Sequence, residues 1–66
     1  MFVPGRIYRH KKCIDVDMRV EKYFNAQSYM KLKVSWVQQK NHDFVYAGND
    51  RVVVKAEDFK NWTRVG

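Results

Sequence analysis

The sequence predicts an all-β fold, a small five-stranded barrel with one 3₁₀ turn before the last strand. Three observations lead there. In "CIDVDMRVE", Ile14, Val16, Met18 and Val20 alternate with charged residues; in "YMKLKVSWV", Met30, Leu32, Val34 and Trp36 alternate with Lys31, Lys33 and Ser35. Period two gives a strand one apolar face and one wet face. "RVVVK" places three stiff β-branched residues in a row, which suits a strand buried on both faces. A single open sheet of this composition would leave its apolar face in water, so it is expected to curl into a barrel.

Each element follows in order. Pro4 and Gly5 mark the start of a first strand that carries Ile7 and Tyr8. The two alternating runs are joined by "KYFNAQS", where Asn25 and Ser28 suit a turn, so residues 13–38 read as an antiparallel hairpin. Its even-numbered apolar residues, from Ile14 to Val20 and from Met30 to Trp36, should be buried and their odd-numbered neighbours exposed. After the polar loop "QQKNHDF", the turn residues Ala47, Gly48, Asn49 and Asp50 separate a short arm, Phe44 to Tyr46, from Arg51 to Lys55, which reads as a second hairpin. "AEDF" lacks period two and is too short for an independent helix, so it reads as one turn of 3₁₀ helix. "WTRV" closes the fold as a last short strand.

Residues 1–66 read as one domain. A chain this short buries only about 60% of its unfolded surface, and extra stability usually comes from disulfides, metal or association. Cys13 is the only cysteine, so no internal disulfide can form, and with His10 and His42 it makes no four-ligand metal set. No cofactor is expected, and self-association is the expected source of help. The free thiol, the lack of an apolar leader in "MFVPGRIYRH" and the lack of a membrane-length apolar run fit a cytoplasmic protein. Thirteen Lys and Arg against seven Asp and Glu give a net charge of +6, which favours anionic partners.

The strand order and spacing resemble the SH3-like small barrels and, among them, the Sm-like proteins. The resemblance rests on the hairpin at 13–38, the strand at 51–55, the turn at 56–61 and the closing strand at 62–65. It implies a ring-forming, RNA-binding module. The opening "PGRIYRHKK" and the ending "KAEDFKNWTRV" also resemble small phage proteins, including those of marine cyanophages. Two Sm features are missing: an opening helix, and an Arg-Gly pair after a late strand. No Sm binding residue is therefore transferred. An "ALYDY"-like opening is absent too, so proline-rich peptide recognition is not implied.

The residues themselves point to one candidate site. "RIYRHKK" places Arg6, Arg9, His10, Lys11 and Lys12 around Tyr8, a pattern able to hold phosphate and stack a base of RNA or single-stranded DNA. The competing reading is a solvated strand end, and since Tyr8 alternates with Ile7, one of the two must face inward. Lys31 and Lys33, on the wet face of a strand, could extend the basic patch, but they read first as cross-strand partners of Asp15, Asp17 or Glu21. Trp36 and Phe59 read as core, while Trp62 is open between core and platform. Tyr23, Phe24, Tyr29 and Tyr46 flank turns, where exposed rings would serve stacking or subunit contacts. His42 and Asp43 would point to opposite faces of a strand, and no nucleophile or glycine-rich phosphate loop accompanies them. Catalysis is not expected. The leading expectation is a non-enzymatic nucleic-acid-binding module; the alternative is a phage accessory or virion protein that binds other proteins.

Overall fold

A computed structural model describes all 66 residues of the chain. Five antiparallel strands form one sheet: β1 (Ile7–His10), β2 (Val16–Asn25), β3 (Tyr29–Gln38), β4 (Phe44–Lys55) and β5 (Trp62–Arg64). A 3₁₀ segment, η1 (Ala56–Asn61), joins β4 to β5. The order across the sheet is β4-β3-β2-β1-β5. β4 and β5 are therefore the two edges, and no ladder joins them, so the sheet is open. Six residues of η1 nevertheless connect those edges, so the sheet must curve for the chain to reach. The concave face holds one core of Phe2, Tyr8, Met18, Val20, Met30, Leu32, Val34 and Val54. Phe59 and Trp62 close over it from the η1 side, and Phe2 packs edge-on against Tyr8 and Phe59 at 4.8 and 4.9 Å.

The curvature comes from bulges. On β2, Glu21 is an extra residue: Val20 pairs with Val34, but Lys22 pairs with Lys33. On β4, Ala47–Asn49 oppose the single Ser35, since Val34 pairs with Asp50 and Trp36 with Tyr46. Ser35, fully buried, ties the two bulges together. Its hydroxyl donates to Glu21 Oε2 and accepts from the Gly48 amide, both at 2.7 Å. Gly48 holds φ at +67°, a left-handed conformation that costs glycine little. The expected hairpin at 44–55 is thus one continuous, bent strand. Its turn-like residues make a bulge, and Asp50 accepts the Trp36 indole N–H at 2.7 Å.

The alternation in the first hairpin holds only in part. Met18, Val20, Met30, Leu32 and Val34 are buried, and Val16 and Trp36 are half-buried. Ile14 is 83% exposed, because β2 starts two residues later. Among the odd-numbered neighbours, Asp17 and Ser35 are each only 1% exposed. The convex face is covered at that end. The 39–43 loop folds back over it, with Gln39 donating to the Cys13 and Val16 carbonyls, while the Val65 and Gly66 amides donate to the Ile7 carbonyl.

Candidate functional site

The structure gives the residues of the opening basic stretch different surroundings. Tyr8 is buried in the core and its hydroxyl accepts the Val3 amide at 2.7 Å, so its ring is not available to stack a base. Arg9 is committed elsewhere: its guanidinium makes two bonds, of 2.8 and 2.9 Å, to the two oxygens of buried Asp17. Those bonds, together with the attraction of the carboxylate, raise the Arg9 pKa above its ordinary value against a smaller opposing effect of desolvation. His10 is half-buried, edge-on to Trp62, with Nδ1 accepting the Lys12 amide and Nε2 3.5 Å from Asp58. Only Arg6, Lys11 and Lys12 remain exposed.

Asp58 lies at the centre of a small polar cluster. The amide of Asn61 donates to it, and burial, which opposes this effect, is outweighed once His10 and Trp62 add their bonds, so its pKa falls below the ordinary carboxylate value. A depressed folded-state pKa contributes stability above the unfolded value, and that stability is lost as pH falls through the folded one. Asp58→Asn should therefore lower the melting temperature at neutral pH and lower it less near the acid end, as thermal melts across pH will read.

His42 does not pair with its neighbour Asp43. It holds φ at +60° and brings Nε2 within 3.3 Å of Asp17 on β2. Sequence adjacency offered no hint of this partner, which the folded-back loop supplies. No three His, Cys, Asp or Glu side chains gather as a metal set. No helix is long and apolar enough to cross a membrane.

The far half of the convex face is different. Past the Glu21 bulge the parity of β2 switches, so Tyr23 turns toward the core while Lys22 and Phe24 turn outward. Lys22, Lys33 and Arg51 then lie side by side across three strands, and Phe24, Lys31 and Val53 form the next row. The expectation that Lys31 and Lys33 face carboxylates is overturned. Their neighbours on β2 are Phe24 and Lys22: the bulge takes Glu21 out of the ladder opposite Lys33, Asp17 pairs with Val37, and Asp15 precedes β2. The four ion pairs of the protein are Arg9–Asp17, His10–Asp58, Arg19–Glu21 and His42–Asp17, and none includes a lysine. Lys22, Lys33 and Arg51 of the first row and Phe24 and Lys31 of the second line a shallow depression of about 430 Å³ with no carboxylate in its wall. Phe24 stands 61% exposed beside it, and Lys31 Nζ lies 5.9 Å from the Tyr29 ring centroid.

Like charges directly opposite one another weaken a sheet. Lys33 has a cation on each side, so Lys33→Glu replaces two repulsions with two attractions. The variant should be more stable than wild type by roughly 0.4–2 kcal/mol, counting ~0.2–1 for each pair. A rise of several degrees in the melting temperature at low salt, shrinking in high salt, is the expected reading.

No family model, curated protein or solved structure matches this chain.

Proposed function

We propose that the protein is a non-enzymatic module that binds nucleic acid, RNA or single-stranded DNA, by charge and aromatic contact. The observation that carries this reading is the row Lys22, Lys33 and Arg51, three adjacent cations with no carboxylate between them. A sheet gains nothing in stability from such a row, whereas phosphates need one. The bent sheet and the 3₁₀ link between its edges suit an SH3-like or Sm-like small barrel. Titration of labelled single-stranded RNA and DNA across salt tests the function. Affinity should fall linearly on a log–log plot, and absence of binding at low salt removes the reading.

A second reading, a protein-interaction module, draws on β4. This strand is a free edge of twelve residues, and Phe44, Val45 and Tyr46 are each 55% exposed on it. Unpaired backbone groups beside exposed apolar side chains invite another chain, and a second copy is the proposed occupant. Sedimentation equilibrium should then show species above 8.0 kDa at high micromolar concentration. A strict monomer excludes self-association through this edge.

A further inference from the structure

We infer that the far half of the convex face is a single-strand site: a nucleic-acid strand lies across β2, β3 and β4, its phosphates on Lys22, Lys33 and Arg51 and a base on Phe24. This rests on the nucleic-acid reading above and gives it a location and a ligand class. It also moves the site away from the opening stretch, where Tyr8 and Arg9 are used by the fold.

Adjacent strands are spaced about 4.8 Å apart, so the three cations form a line perpendicular to the strands. The second row sits two residues further along, roughly 6.8 Å away at the usual rise. One row of charge and one row holding an aromatic therefore run in parallel, at a separation that suits a sugar–phosphate backbone beside its bases. Phe24 is unsupported by core packing and 61% exposed, a position with no folding benefit for a large apolar ring. A base face would cover it.

The shape selects single strands. The depression is shallow, and the one helical segment, η1, takes no part in its wall, so no helix is presented to a duplex groove. In a duplex the base faces are already stacked inside, leaving Phe24 nothing to cover. An unstacked strand offers both phosphate and base face at once. The neighbouring cleft begins at Val53 of the second row and adds the hydrogen-bonding groups of Gln27, Ser28, Tyr29 and Lys55, with the Glu57 carboxylate marking its far limit for an anionic strand.

The experiment compares two variants matched in charge. Lys22→Gln/Lys33→Gln/Arg51→Gln and Arg6→Gln/Lys11→Gln/Lys12→Gln each remove three positive charges, so any difference between them reports location. Fluorescence anisotropy of labelled oligo(dT) and oligo(rU) of about 12 nucleotides, within the usual site sizes of small single-strand-binding barrels, reads affinity. A duplex of equal length is the comparison. The first variant should lose most binding and flatten the salt slope by about 2, at ~0.7 per contact. The second should lose far less. Phe24→Ala should weaken single-strand binding roughly 5- to 150-fold, and Phe24→Trp should retain binding and show fluorescence quenching by the oligonucleotide. Circular dichroism melts confirm that each variant is folded. Equal losses from the two triple variants, a silent Phe24→Ala, or tighter binding of duplex overturns the site while leaving the general reading in place. Wild-type protein that binds none of the three at low salt overturns both, and binding of an acidic polypeptide instead favours the protein-partner reading.

Discussion

Val34→Asp should leave the chain without a cooperative unfolding transition. Val34 is completely buried, paired with Val20 on one side and Asp50 on the other. A carboxylate there meets no cation, and its neighbour on β4 is already an acid. Burying an unpaired ionisable group costs several kcal/mol. A domain of 66 residues has only about 3–10 kcal/mol in total, at ~0.05–0.15 per residue. Val53→Asp is the control, because Val53 is 63% exposed and faces outward beside Lys31. It should fold normally. If Val34→Asp melts like wild type, the concave face is not the core.

Tyr8→Ala should be nearly as damaging, and it separates a core residue from a stacking platform. The ring packs 4.8 Å from Phe2, and its loss leaves a cavity costing about 3–5 kcal/mol, as for other buried aromatics. Tyr8→Phe keeps the ring and removes only the bond from the Val3 amide, worth about 0.5–1.5 kcal/mol. Melting temperature and oligonucleotide affinity measured together decide the matter. Tyr8→Phe should melt a few degrees lower and bind as wild type, while Tyr8→Ala should lose binding only where it loses fold. A fully folded Tyr8→Ala protein with weakened binding would place the ring in the ligand's path.

The all-β class, the 3₁₀ turn and the alternating core residues of β2 and β3 were legible because period two is a local property. β4 was misread for an equally local reason. Gly48, Asn49 and Asp50 have the chemistry of a turn, and only their partners Ser35 and Trp36, over ten residues away, make them a bulge. The outward row of cations was hidden by the same device on β2. One inserted residue, Glu21, reverses the facing of everything after it, and no residue in "VEKYF" announces the insertion. The burial of Asp17 was out of reach because the loop that covers it comes from beyond β3. The charges of the opening basic stretch were legible because they are adjacent in sequence, whereas the three-strand row is assembled from three separate segments.

The pairing of β1 with β5, Tyr8 opposite Arg64, has a kinetic meaning. β2, β3 and β4 are joined by short loops and can form from neighbouring contacts. β1 and β5 come from opposite ends of the domain, so their ladder closes a loop spanning almost the whole chain, and that closure entropy must be met before any bond returns it. During synthesis β1 emerges first and its second partner last. Until then one side of β1 is an open edge and Phe2 lacks Phe59 and Trp62 as cover. The three-strand meander is thus the part of the molecule fitted to start folding, and β5 is the part that commits it.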